Sequence, residues 1–167
     1  MRLHVVHNVM PLMLYKLRKQ LQKNAHKQVT LYSDGSSLGN PGPGGYGGIL
    51  EFNGHEKEFY GGEAHTTNNR MELRGVIEGL KFMKEPCEIT VISDSSYVVN
   101  AINSWLEGWV KRSFKKVKNV DLWEEYLEFS KPHTVTGVWV RGHDGHEENE
   151  RCDKLAYDEA QRQKALL

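Results

Sequence analysis

Four acidic residues far apart in the chain, Asp34, Glu72, Asp94 and Asp153, occupy places where folding could bring them together. Asp34 and Asp94 each follow a strand-like run, Val29 to Ser33 and Glu88 to Ser93. Ligand sites in open α/β sheets collect at the carboxyl ends of strands, so the two aspartates would face each other if their strands are parallel neighbours. Glu72 lies beside the apolar stripe of a helical pattern, with Asn68 and Asn69 one turn earlier, and Asp153 lies similarly beside Cys152, Leu155 and Ala156. Converging carboxylates repel and raise one another's pKa values. Such a cluster becomes sensible when cations fill it, and an all-oxygen donor set suits magnesium or manganese rather than zinc. Two such ions about 4 Å apart can activate a water and stabilise the leaving oxygen of a phosphodiester. Taken singly, an aspartate after a strand is more often a turn or helix cap, and an acid on a helix shoulder a solvated side chain.

The elements that must hold these groups follow from hydrophobic period. Val29 to Ser33 alternates as a strand ending at Asp34, and residues 39–45, Gly-Asn-Pro-Gly-Pro-Gly-Gly, read as a turn-rich loop. Tyr46 to Phe52 and Lys57 to Tyr60 read as two more strands, joined by an Asn53-Gly54 hairpin turn. The period then becomes helical: Leu73, Val76, Ile77, Leu80 and Met83 predict an amphipathic helix over Asn68 to Lys84, with Pro86 beyond its end. A fourth strand ends at Asp94. Ser96 to Leu106 and Val120 to Phe129 read as helices, Thr134 to Val140 as a fifth strand, and Glu147 to Lys164 as a last helix with acids in its first turn. Three strands followed by alternating helices and strands give an α/β domain whose mixed sheet is covered by helices.

A chain of 167 residues, 38% hydrophobic and 26% charged, suits a single globular domain. No apolar run approaches the roughly 20 residues of a membrane span. Cys87 and Cys152 are too few for a disulfide framework or a cysteine zinc site and read as reduced thiols, which points to the cytoplasm. The net charge of zero hides an asymmetry, because no acid precedes Asp34 while Arg2, Lys16, Arg18, Lys19, Lys23 and Lys27 do. Residues 1–27 thus form a basic extension, expected to be disordered or loosely helical, with a possible short helix from Tyr15 to Lys23. Its acid-poor composition partly resembles a mitochondrial presequence, the alternative location. A second basic cluster, Lys111, Arg112, Lys115, Lys116 and Lys118, is interleaved with Trp105, Trp109 and Phe114. Cations in such a segment attract phosphates and aromatics can pack on sugars; the plainer reading makes the tryptophans partly core and the lysines a solvated face.

The local words are more specific than the pattern. Asp34-Gly-Ser-Ser-Leu-Gly-Asn-Pro-Gly-Pro-Gly-Gly-Tyr-Gly47, Thr66-Thr-Asn-Asn-Arg-Met-Glu-Leu73, Asp94-Ser-Ser-Tyr-Val98, Val117-Lys-Asn-Val-Asp-Leu-Trp123 and the run from Trp139 to Asp153 occur in order. Together they closely resemble bacterial type 1 ribonuclease H from about Val29 to about Ala160. The resemblance implies the ribonuclease H-like three-layer fold with a five-stranded mixed sheet in a catalytic domain at 28–167. It implies an endonuclease that cuts the RNA strand of an RNA–DNA hybrid by two-metal hydrolysis, leaving 5′-phosphate and 3′-hydroxyl ends. It assigns Asp34, Glu72, Asp94 and Asp153 to Mg2+, with Mn2+ possible, and makes His143 a mobile histidine assisting proton transfer or product departure. Glu150, one turn before Asp153, would help hold or release the second metal. Thr67 and Asn119 would contribute to a pocket for a DNA-strand phosphate, and the basic segment, Trp105, Lys111, Arg112, Lys115 and Lys116, would grip the hybrid.

Reading a hybrid requires sensing 2′-hydroxyls on one strand and their absence on the other. Asn40, Asn68 and Asn69 carry amides that donate and accept, which suits such contacts. A monomer acting on a hybrid, without a membrane partner, is expected. The chain departs from the familiar bacterial pattern in a shorter basic protrusion, Val110 in place of a lysine, Ser96 in place of a glutamine and His65 where an arginine is frequent, so grip should be weaker or more sensitive to salt. Two rivals share the fold: a non-enzymatic hybrid-binding module, which predicts loss of a carboxylate, and a junction resolvase or integrase domain, which lacks the asparagine words.

Overall fold

A computed structural model describes residues 11–23 and 26–167, with the backbone alone for 18–23; the expected extension therefore lies partly outside the described residues. Within it, α1 (Leu12–Lys23) starts immediately after Pro11, whose carbonyl accepts the first helical bond from the Tyr15 N–H at 3.1 Å. The helix is longer than the Tyr15 to Lys23 segment expected from sequence.

β1 (Lys27–Ser37), β2 (Gly42–Phe52) and β3 (His55–Thr66) form an antiparallel meander. Asn53 and Gly54 both take positive φ in the hairpin turn, as their sequence signals. Next come α2 (Asn68–Leu80), β4 (Cys87–Ser93), α3 (Ser96–Asn100), a π-helical turn (Ala101–Trp105), α4 (Leu106–Lys111), α5 (Val120–Ser130), β5 (Thr134–Trp139) and α6 (Glu147–Ala165). The sheet order is β3-β2-β1-β4-β5, with β1, β4 and β5 parallel. This is the expected five-stranded mixed sheet flanked by helices.

Several expected boundaries move for identifiable reasons. β1 runs past Asp34 to Ser37 because Ser36 and Ser37 pair with Gly45 and Gly44. The glycine-rich segment thus becomes strand from Gly42, and only its start remains a turn. β3 extends well beyond Lys57 to Tyr60, since its outer face is solvent and its length is set by pairing to β2 rather than by an apolar pattern. α2 stops at Leu80 rather than Lys84. The single helix expected over Ser96 to Leu106 is broken by the π-helical turn. In that turn the Asn103 side chain lies against the edge strand β5, donating to the Gly137 carbonyl (2.9 Å) and accepting from its N–H (2.8 Å).

The core lies between the sheet and the layer of α2, α3 and α5. Leu31, Leu73, Val76, Ile77, Val91 and Trp123 are fully enclosed there, and Trp123 meets Tyr97, Trp109 and Tyr126 edge-on at 5.5–5.9 Å. Arg74 on α2 and Lys81 just past its end pair with Glu125 on α5, each at 2.8 Å, which fixes those helices side by side. On the other face α6 packs directly on β1 and β2. That approach depends on missing side chains: a Cβ on Gly45 would collide with the Ala156 carbonyl and come 2.7 Å from the Ala160 nitrogen. Gly45→Ala should therefore lower stability by about 1–3 kcal/mol, roughly 2–12 °C in Tm for a chain this size. Scanning calorimetry checks this, and an unchanged Tm would show that α6 has slack.

Candidate active site

Parallel pairing of β1 with β4 sets the site. The register Tyr32↔Ile92, continued by two residues, brings Asp34 level with Asp94 on the same side. Glu72 comes from α2, which sits so closely on β1 that a Cβ on Gly35 would collide with the Glu72 nitrogen. One oxygen from each of Asp34, Glu72 and Asp94 lies within 4.8 Å of the others. Asp34 and Glu72 are 3% and 5% exposed, and Asp94 is half-buried. The Gly35 N–H donates to Asp34 Oδ1 at 2.9 Å.

Asp153 lies outside this tight group, half-buried on α6, but its charge acts on both Asp34 and Asp94. Burial pushes the Asp34 carboxyl up to about 8, with the charge of Asp94 adding to it. Glu72 is held well above the ordinary glutamate range, first by burial and then by the charge of Asp34. Asp94 is raised by burial and by Asp153, with opposing contributions from Asp34 and His143. Glu72 Oε2 is enclosed and has no hydrogen-bond partner. An unpartnered acceptor among repelling carboxylates fits a hard divalent cation, and the donor set is all oxygen. The buried triad is therefore consistent with a metal site. Beneath it Cys152 is buried, and burial and Asp34 hold its thiol far above its ordinary pKa.

His143 is exposed, with φ 56°, in the loop between β5 and α6, where Gly142 lies against the Asp94 carboxylate. Asn40 accepts from the Asn68 N–H through Oδ1 (3.1 Å), so the glycine-rich turn is fastened to the start of α2, where Asn68 and Asn69 are exposed. Thr67 caps α2 by accepting from the Arg70 N–H at 3.3 Å. Asn119 takes a left-handed conformation before α5, donating to the Tyr97 hydroxyl (3.1 Å) and accepting from Arg70 (3.4 Å). Arg70, which the sequence reasoning did not single out, joins Thr67 to Asn119 and grips Asp121 through two bonds of 2.9 and 2.7 Å. Its only signal was its place inside the word Thr66 to Leu73.

Trp109 packs on the core, as expected, whereas Trp105 is exposed and leans on it at 5.9 Å between ring centres. Lys111 pairs with Glu107 at 3.2 Å, an exposed pair of little energetic weight. Arg112, Lys115 and Lys116 are exposed and line a common open cleft. Their segment is tightly wound: Ser113, Phe114 and Lys116 all have positive φ.

A family model described as RNase H matches residues 26–161. The chain belongs to the bacterial type 1 ribonuclease H family. It is 73% identical over 147 residues to the ribonuclease H of Sulfurovum sp. (strain NBC37-1), covering 88% of this chain and 100% of that protein. To ribonuclease HI of Helicobacter pylori (strain ATCC 700392 / 26695) it is 60% identical over 136 residues, covering 81% and 95%. Among solved structures it resembles LC9-RNase H1, a type 1 RNase H with the type 2 active-site motif, at TM-score 0.76 and 34% identity, over 83% of this chain and 74% of that one. It also resembles LC11-RNase H1 in complex with an RNA/DNA hybrid, at TM-score 0.58 and 25% identity, over 83% and 99%. As a ribonuclease H the chain is an endoribonuclease. Among the described residues no helix is long and apolar enough to cross a membrane.

The raised carboxyls tie the stability of the metal-free ribonuclease H domain to pH. A group whose pKa is higher in the folded state binds more protons folded than unfolded, so its contribution is complete below the unfolded value of 3.8 and is lost as pH climbs through about 8. In chelator, Asp34→Asn should therefore be more stable than the native sequence at pH 8, and the difference should shrink towards pH 4. Thermal melts across that range test it; a variant less stable at every pH would refute it.

Proposed function

We propose that this ribonuclease H hydrolyses the RNA strand of RNA–DNA hybrids as a monomer in the cytoplasm, using two Mg2+ ions, with Mn2+ as a substitute, and leaves 5′-phosphate and 3′-hydroxyl ends. The observation that carries the reading is the buried group of Asp34, Glu72 and Asp94 with its unpartnered Glu72 oxygen. Asp34, Glu72 and Asp94 would hold the metal, and Asp153 would complete the second position from α6. Magnesium, when bound, supplies the positive charge that activates a water and stabilises the leaving oxygen. The protein's part is to fix those carboxylates before substrate arrives, so that little reorganisation is needed in the reaction.

His143, exposed beside Asp94 in the loop that leads to α6, serves proton transfer and product departure. Glu150 sits one turn before Asp153 and would assist at the second metal. Asn40, Asn68 and Asn69 form one polar surface where the glycine-rich turn meets α2, and they meet the minor groove, where 2′-hydroxyls are displayed. Thr67 and Asn119, joined through Arg70, would seat a phosphate of the DNA strand. Trp105, Lys111, Arg112, Lys115 and Lys116 grip the backbone further along.

A labelled-strand assay comparing hybrid, double-stranded RNA and double-stranded DNA tests the specificity; cleavage confined to the RNA of the hybrid, and abolished by chelator, is expected. Asp34→Asn and Asp94→Asn should keep the fold and lose cleavage, and native rates in magnesium for either would refute the assignment. Neutralising Lys115 and Lys116 should weaken hybrid binding and reduce the slope of log affinity against log salt by about one to two. An unchanged slope would remove those lysines from the interface.

A further inference from the structure

The peptide unit that follows Asp94 is held from both sides by side chains. β4 ends at Ser93 and β5 at Trp139, which are register partners. The ladder continues for one more bond, from the Val140 N–H to the Ser93 carbonyl at 3.0 Å, and then stops. The Asp94 carbonyl is thus left without a backbone donor from β5, and the indole Nε1–H of Trp139 supplies one at 3.0 Å. The N–H of the same peptide, on Ser95, donates to Ser93 Oγ at 3.1 Å. Ser95 is itself committed as the cap of α3, accepting from the Val98 N–H at 3.2 Å. Ser93 is 1% exposed and cannot swing away, whereas Trp139 is 52% exposed. An exposed indole bonded to the main chain of a site aspartate is an uneconomical surface residue unless its bond matters.

The same strand end carries the loop of His143. Gly142, three residues past Trp139, rests against Asp94, leaving only 2.7 Å between its Cβ position and Oδ2. One indole bond thus joins the peptide that sets the Asp94 side chain to the strand end from which the histidine loop departs.

We propose that Trp139 is a positioning residue for Asp94, locking the Asp94–Ser95 peptide together with Ser93 Oγ so that the carboxylate is preset for the divalent cation. The inference rests on the functional reading above. Loss of a partner that orients a metal ligand typically weakens metal affinity or activity by about tenfold or more. Trp139→Phe keeps a smaller aromatic ring and removes the N–H donor. It should lower kcat on a hybrid roughly tenfold with KM little changed, and it should weaken Mg2+ binding by a similar factor in calorimetric titration of the metal-free protein. Ser93→Ala releases the other end of the same peptide and should act in the same direction. The double variant should lose less than the product of the two, because both single changes free one unit.

Native kcat and native Mg2+ affinity in Trp139→Phe would overturn the proposal. A loss confined to KM would also overturn it and make the indole a substrate contact. If Trp139→Phe does not fold, judged by its melting transition, Ser93→Ala carries the same two measurements. Failure of the native protein to cut any hybrid would sink the proposed function instead, and the calorimetric comparison would still decide whether Trp139 presets the metal ligand.

Discussion

Repulsion among carboxylates crowded at the ends of two parallel strands is the constraint around which this domain is built. Asp34 and Glu72 are almost wholly enclosed, and each is destabilised in its charged form by burial and by acidic neighbours. Against this stands the Gly35 N–H, which donates to Asp34 Oδ1. The protein tolerates this because rigid elements hold the groups in place: β1 lies in mid-sheet between β2 and β4, and α2 is clamped to α5 by Arg74 and Lys81. A site on loops would relax by turning its carboxylates to water, whereas a site on packed strands and a buried helix face cannot, and this is the condition for holding a strongly hydrated divalent cation.

Much of this architecture was legible in the sequence because period and burial coincide. Val29 to Ser33 and Ile89 to Ser93 alternate, Leu73 to Leu80 follow a helical stripe, and the meeting of Asp34 with Asp94, which the sequence made conditional on parallel neighbouring strands, is met by the β1–β4 register. What escaped was set by partners rather than by local pattern. The length of β3 comes from its pairing with β2, and the glycine-rich segment becomes strand through its pairing with β1, its bare backbone leaving room for α6. The π-helical turn has no composition cue: Ala101 to Trp105 reads as ordinary helix until Asn103 is seen bonded to Gly137.

The site divides along the same line. The carboxylates stood out because their positions relative to strand ends and apolar stripes were unusual together. Their orienting partners did not, since Ser93 and Trp139 are ordinary strand residues until the pairing of β4 with β5 places them side by side. Arg70 was hidden for a related reason, its partners Asn119 and Asp121 lying some 50 residues away in the chain. Trp105 was expected to be partly core and is exposed, because Trp109 and Trp123 already fill the space beneath it.

The Asn103 amide against β5 reaches beyond local order. An outer strand offers unpaired main-chain groups to any passing chain, and that invitation is a route to aggregation. On this flank one asparagine imitates a sixth strand for the length of a single residue, taking both groups of Gly137 out of circulation. The opposite flank, β3, is guarded differently, by His55, Glu56, Lys57 and Glu58, with Arg151 bonded to both glutamates. One border of the sheet is thus plugged and the other fenced with charge, so crowding in a cell would probe β3 in high salt and β5 only after the helix carrying Asn103 has lifted away.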